Sequence, residues 1–272
     1  MKTSLIISTY NWPEALNLCL NSLLIQTRFP DEVIIADDGS TEETTRLIRA
    51  FAAKVPFPLT HIWQEDDGFR KTMILNKAIA KSNCEYIIQV DGDVILHPQF
   101  IRDHIKAAKK GRFVSGSRVM LNASLSKEIV STQQITFSFL EKGISKKRIN
   151  GLYMPFSGMF IYPLFVNSKS YKRTKGCNIA FWKENLININ GYNEDIHGWG
   201  SEDTELAVRL FNSGICRNTI RWALIVYHID HNENSKERLV VNRDYLTDAI
   251  SSKKSWCANG LDKYLAKEHY QE

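Results

Sequence analysis

The chain has 272 residues, 43% hydrophobic and 24% charged, with a formal net charge of +5 and a pI near 8.8. That suits one large globular domain or two small ones. The mild basic excess permits an anionic partner without specifying one, and the basic residues form neither a long stripe nor a nucleic-acid motif, so nucleic acid is not an expected partner. Five scattered cysteines argue against a disulfide framework or a zinc cluster and fit a reducing cytoplasm. The opening MKTSLIISTYN has too short an apolar part for a signal peptide, and no apolar run reaches the length of a membrane span.

The apolar run Leu5, Ile6, Ile7 predicts a first buried strand over Ser4–Thr9, ending in the polar Ser8-Thr9-Tyr10-Asn11. Pro13 suits the first turn of a helix, and Leu16, Cys19, Leu20, Leu23 and Leu24 follow at helical spacing. Glu32–Ala36 predicts a second strand stopped by Asp37-Asp38-Gly39-Ser40, with Ser40 or Thr41 as the cap of a helix carrying Leu47, Ile48 and Phe51. Leu59–Gln64 reads as a third strand leading into Asp66-Asp67-Gly68-Phe69-Arg70, then a helix with Leu75, Ala78 and Ile79. Glu85–Val90 reads as a buried strand running into Asp91-Gly92-Asp93.

In an extended chain Asp91 and Asp93 point to the same side, and Gly92 lets backbone and ligand come close. Two such carboxylates can hold a hard divalent cation; alone, Asp-Gly is equally a common turn pair. Strand–helix alternation over the first hundred residues predicts an α/β domain with a mostly parallel sheet, whose ligands sit beyond the C-terminal strand ends. Such a sheet gathers Ser8, Asp38, Asp67, Arg70, Asp91 and Asp93 on one rim. No GxGxxG follows the first strand and no GxxxxGK[ST] occurs, so the usual dinucleotide and P-loop readings lack their phosphate-cradling glycines.

Residues 101–115 read as another helix and strand. From about 117 to 170 basic patches (Lys146, Lys147, Arg148; Lys169, Lys172, Arg173, Lys175) alternate with apolar, aromatic segments. This stretch is either a surface excursion or an insertion resting on an anionic membrane face or a lipid-linked acceptor. Order returns at Gly176-Cys177-Asn178 and Ile179–Trp182, with a turn at Asn190-Gly191. In His197-Gly198-Trp199-Gly200-Ser201-Glu202-Asp203, Ser201 is a candidate N-cap for a helix striped by Leu206, Ala207, Leu210 and Phe211. Acids in a first helical turn complement the helix dipole, which accounts for the charge of Glu202 and Asp203 but not for the flexible aromatic loop that delivers them. Trp222–Tyr227 reads as a strand ending in His228, with His231 three residues on. From 233 the chain reads as a peripheral helical tail with no identifiable chemistry.

The ordered set Ser8-Thr9-Tyr10-Asn11, Asp37-Asp38-Gly39-Ser40, Asp67-Gly68-Phe69-Arg70, Asn76 and Asp91-Gly92-Asp93 resembles family 2 glycosyltransferases of the GT-A fold. Gly176-Cys177-Asn178 through Asp203 resembles the C-terminal part of β-1,4-galactosyltransferases and of bacterial chondroitin-polymerase-like enzymes. The resemblance covers roughly 1–115 and 175–232. It implies a single GT-A domain, Rossmann-like and mostly parallel with flanking helices, with a nucleotide-sugar-binding half (1–115), an insertion (116–174), an acceptor-binding catalytic half (175–232) and a tail (233–272). It further implies a UDP-sugar donor and a divalent metal. By position, Ser8 and Asp38 would contact the uracil and Arg70 the nucleotide or diphosphate. Asp91 and Asp93 would meet ribose and metal, with Asp93 the direct ligand and His228, or alternatively His231, completing the site. Trp199 and Gly200 would shape the sugar pocket, Asp203 would be the catalytic base and Glu202 would bind acceptor or donor sugar. Leu75 departs from relatives that carry a basic residue before Asn76.

Sugar transfer from a nucleotide diphosphate needs a Lewis acid for the leaving group and a base for the acceptor hydroxyl. A base opposite the leaving group inverts the anomeric centre, and a mixed O/N donor set favours Mn²⁺ over Mg²⁺. The expected role is an inverting transferase of hexose or N-acetylhexosamine to a glycan or lipid-linked acceptor, as in lipopolysaccharide or polysaccharide synthesis. It would act in the cytoplasm, with peripheral contact to the inner membrane face left open. A nucleotidyltransferase would instead want a Gly- and Arg/Lys-rich triphosphate loop, and a non-catalytic binding module would not need Asp91, Asp93, Asp203 and His228 together.

Overall fold

The computed structural model describes residues 1–138, 140–144, 148–172, 174–231 and 235–265; Lys146, Lys147 and Arg173 of the basic stretch and the end of the tail lie outside the described residues. The elements run β1 (Thr3–Thr9), α1 (Pro13–Leu24), β2 (Glu32–Asp37), α2 (Glu42–Ala52), β3 (Leu59–Trp63), α3 (Lys71–Lys81), β4 (Tyr86–Asp91), β5 (Val94–Leu96) and α4 (Phe100–Ala107). They continue with β6 (Arg112–Ser115), β7 (Ser117–Met120), α5 (Ala123–Thr132), β8 (Asn178–Trp182), α6 (Lys183–Asn188), α7 (Glu202–Asn212), β9 (Cys216–Thr219), β10 (Ile225–His228), α8 (Leu239–Ser252) and α9 (Asp262–Leu265). Between α5 and β8 lie a 3₁₀ turn at Arg148–Gly151, a π turn at Ser157–Ile161 and a 3₁₀ turn at Tyr162–Phe165.

A seven-stranded sheet has the order β3-β2-β1-β4-β8-β6-β9, parallel except for the pairs that β8 makes with β4 and β6. The mixed α/β architecture expected of GT-A is therefore the one observed. The near-continuous apolar runs of β1, β2 and β4 are explained by burial on both faces. Leu5, Ile7, Val33 and Ile88 pack with Leu16, Leu20 and Leu23 of α1, whereas Ile6, Ile34 and Ile87 pack with Ile74, Leu75, Ala78 and Ile79 of α3. Leu75 is thus core.

The register sets Ser8 beside Asp91 and Thr9 beside Asp37, so the polar strand ends form one rim. A second sheet, β5-β10-β7, begins where the first ends. β10 runs antiparallel to β5 with His228 opposite Val94, which brings His228 to the residue after Asp93.

Several local expectations are corrected. Thr41 and Ser201 hold the cap positions of α2 and α7, yet neither side chain makes a capping bond. Ser40 Oγ instead accepts the Asn11 N–H, and Ser201 is left-handed at φ 75°. The last predicted strand starts at Ile225 rather than Trp222, because Trp222 and Leu224 are left-handed (φ 65° and 51°) and cannot extend a ladder. α7 is pinned from behind: buried Arg209 bonds both Glu205 oxygens (2.7 and 2.8 Å) and the carbonyls of Ile189 and Gly191 (2.6 and 2.8 Å).

Candidate active site

The end of β4 delivers Asp91. Its Oδ1 accepts Ser8 Oγ–H at 2.8 Å and Lys71 Nζ–H at 2.5 Å. Lys71 opens α3, and nothing in its local sequence marks it out from a solvated charge. Burial disfavours its ammonium, but the carboxylates of Asp91, Asp203 and Glu202 outweigh that cost and hold its pKa well above the ordinary lysine value. A permanent cation therefore stands among three carboxylates.

Asp93 lies in the turn between β4 and β5, one residue before the second sheet begins. Its Oδ2 lies 3.0 Å from His231 Nε2 and 3.7 Å from His228 Nε2, and the three ligand atoms lie within 4.8 Å of one another. His228 Nδ1 donates to the Ile229 carbonyl at 2.9 Å, since a carbonyl can only accept. In the neutral ring this leaves a lone pair on Nε2, facing Asp93, as a metal-ligating imidazole requires. The Trp12 ring meets the His231 ring edge-on at 5.9 Å between centroids. Asp93 Oδ1 is buried and has no hydrogen-bond partner among the described residues. Burial pushes the Asp93 carboxyl up, but the His231 bond and the His228, His231 and Lys71 charges hold it below the ordinary value. An orphaned buried carboxylate oxygen beside two imidazole nitrogens fits a divalent cation. Both histidines are brought to Asp93.

The start of α7 delivers the acid pair. Gly198, Gly200 and Ser201 are all left-handed (φ 74°, 105° and 75°), and this tight loop turns Glu202 and Asp203 inward. Asp203 Oδ2 accepts the Gly176 N–H at 2.7 Å, and a side chain at Gly176 would collide with the Asp203 carboxylate. Asp203 Oδ1 is buried and unpaired among the described residues. Burial raises the Asp203 pKa; Lys71 opposes that rise and Asp91 adds to it. Burial, with Asp203 alongside, pushes Glu202 up to about 7, and its Oε2 accepts the Gly200 N–H at 2.9 Å.

Asp38 accepts from Gln64 Nε2 at 2.6 Å and from the Arg70 N–H at 2.8 Å, and burial nonetheless carries it up to about 6. It faces a cleft of about 320 Å³ bordered by Tyr10, Phe69, Trp199, Glu237 and Arg238. The Arg70 guanidinium turns back to Asp67 (3.1 Å) and the Glu65 carbonyl. Asn76 is a clamp: its side chain bonds Tyr192 backbone N–H and carbonyl and Glu194 Oε1, all at 2.8 Å, and so fixes the Gly191–Glu194 turn. The tail also reaches the site. A side chain at Gly198 would strike Arg238 and one at Gly200 would strike Leu239, while Asn242 Nδ2 donates to the His197 carbonyl at 2.9 Å. The wall of the cleft is thus part tail, where the sequence predicts only a peripheral helix.

The frame is an α/β sheet that carries an Asp/His cluster and a buried acid pair at its rim. The family model described as glycosyl transferase family 2 matches residues 4–167, and one described as the N-terminal domain of galactosyltransferase matches 162–232. The chain belongs to glycosyl transferase family 2. It is 26% identical over 254 residues to a validoxylamine A glucosyltransferase of Streptomyces hygroscopicus subsp. limoneus (89% of this chain, 55% of the relative). It is 24% identical over 253 residues to a hyaluronan synthase of Pasteurella multocida (86% of this chain, 25% of the relative). The chain thus spans about half or less of the length of these relatives. The solved S. aureus TarS 1–349 in complex with UDP superposes with a TM-score of 0.63 at 17% identity, over 98% of this chain and 70% of that one. Among the described residues no helix is long and apolar enough to cross a membrane.

Proposed function

We propose that the chain is an inverting, metal-dependent glycosyltransferase that moves a hexose or N-acetylhexosamine from a UDP-sugar to a hydroxyl of a glycan or glycolipid in surface polysaccharide synthesis. The observation that carries this reading is the buried Asp203 Oδ1, unpaired among the described residues, on the same rim as the Asp93–His228–His231 cluster. Asp203 takes the proton of the acceptor hydroxyl as its oxygen bonds the anomeric carbon. The bond from that carbon to the diphosphate breaks, and the electron pair leaves with UDP. Asp93 with His228 and His231 would hold Mn²⁺ or Mg²⁺, which would supply Lewis-acid charge for the departing diphosphate. Lys71 keeps positive charge beside Asp91 and beside the acid pair, which favours an ionised Asp203. Ser8 and Lys71 orient Asp91 for the ribose, and Asp38 and Trp199 face the cleft where nucleotide and sugar would sit. The presence of UDP in a structural neighbour supports the choice of donor.

Asp203→Asn is the test. The amide keeps the size and the Gly176 contact but cannot take a proton. Transfer is expected to fall about 10²–10⁴-fold with UDP-sugar binding unchanged. Transfer at the wild-type rate would contradict the assignment.

A further inference from the structure

Residues 154–165 place an unusual amount of apolar surface in water. Phe156 (69%), Phe160 (64%), Leu164 (78%) and Phe165 (81%) are largely exposed, and Met154 and Ile161 join them. Single exposed apolar residues are ordinary, but a contiguous patch marks an interaction surface. The segment is also firmly seated. A side chain at Gly158 would overlap the Arg221 carbonyl, and the Met154 N–H donates to the Trp222 carbonyl at 2.8 Å. The Arg221 guanidinium lies over the Tyr162 and Trp222 rings (5.7 and 5.2 Å) and its Nε donates to Asn150 Oδ1 at 2.9 Å. Met159 packs into the core from beneath. The same Arg221–Leu224 loop feeds β10, whose far end is His228.

Charge selects the occupant. Between Glu141 and Glu184 the chain has no acidic residue, yet nine of its 35 basic ones lie there; outside it, 26 basic residues face 30 acidic ones. Lys142, Lys169, Lys172 and Lys175 are exposed. A second copy docking patch to patch would bring these cations face to face. An apolar layer under an anionic sheet complements both features, and no described helix is built to span it. We propose that Phe156, Phe160, Leu164 and Phe165 insert into the headgroup region of an anionic bilayer while the flanking lysines bind its surface.

The test is co-sedimentation with phosphatidylcholine vesicles, with and without a third of phosphatidylglycerol. The wild-type chain is expected to pellet with the anionic vesicles, to pellet far less with the neutral ones, and to release in high salt. Leu164→Ser/Phe165→Ser should weaken binding by more than about tenfold, and Lys169→Glu/Lys172→Glu by at least about fivefold for each charge lost. All four positions are exposed, so the thermal midpoint should not move. No pelleting with anionic vesicles, equal pelleting with both, or undiminished pelleting of the Leu164→Ser/Phe165→Ser chain would overturn the proposal. So would self-association abolished by that double substitution without vesicle binding, which would make the patch an interface between copies.

Discussion

Asp91 and Asp93 stand two residues apart and serve two different neighbourhoods. Asp91 closes the seven-stranded sheet and is tied to Ser8 and Lys71, with the acid pair of α7 beyond them. Asp93 lies just before the three-stranded sheet, and its carboxylate faces the imidazoles of His228 and His231. Gly92 is the hinge between the sheets, its N–H donating to the Ser8 carbonyl at 2.7 Å. One side therefore gathers carboxylates around a fixed positive charge, and the other sets a carboxylate beside two imidazoles. Equal spacing in sequence does not imply an equal role: the strand each carboxylate abuts decides what it can bind.

Perturbing each side should give separable results. The largest effect is the loss of transfer in Asp203→Asn, with donor binding intact. Next come His228→Ala and His231→Ala. Losing an outer-shell partner already weakens metal sites about 10–100-fold, so losing a ligand should cost Mn²⁺ affinity at least that much. Manganese titration of the two variants would show whether both imidazoles bind the ion, and equal wild-type affinity in both would remove the cluster as a metal site. Lys71→Met should act on the other side. Without the cation Asp203 titrates higher, so the acid limb of the kcat profile should move up, and Lys71→Arg should move it back. An unmoved limb would reduce Lys71 to packing.

The smallest effect concerns stability. The folded pKa of Glu202, about 7, lies above its ordinary 4.5. Its carboxyl thus favours folding below pH 4.5, and that contribution is lost as pH rises through 7. Glu202→Gln, which keeps an oxygen for Gly200, should be more stable than wild type at pH 8 by on the order of 2 kcal/mol, with no gain at pH 4. Thermal melts at the two pH values check this.

The legible parts of the molecule were those with long periodic signals. β1, β2 and β4 are apolar runs with polar ends, and parallel pairing brings those ends together without further information. β5, β7 and β9 are only three or four residues long, too short for a period to appear. The capping role expected of Ser201 failed because the loop needs a left-handed residue there more than it needs a side-chain cap. Lys71 could not be found by spacing, since its partners Asp91 and Asp203 lie on other elements. The tail reads as peripheral because from 233 on it is polar and charged with only patches of helical spacing; its effect comes through Arg238 and Leu239 against two glycines that have no side chain to announce the contact. The acid pair and the two histidines were visible as residue types, but that Asp203 rests on Gly176 needed the fold.

The division between the two sides is tested most directly by calorimetric titration of UDP, with and without Mn²⁺, into the wild-type chain, Asp93→Ala and Asp203→Asn. Wild type and Asp203→Asn are expected to bind UDP tightly only with the metal, and Asp93→Ala to lose that dependence and most of its affinity. UDP binding indifferent to Mn²⁺ in the wild type, or metal dependence that survives Asp93→Ala, would contradict the account.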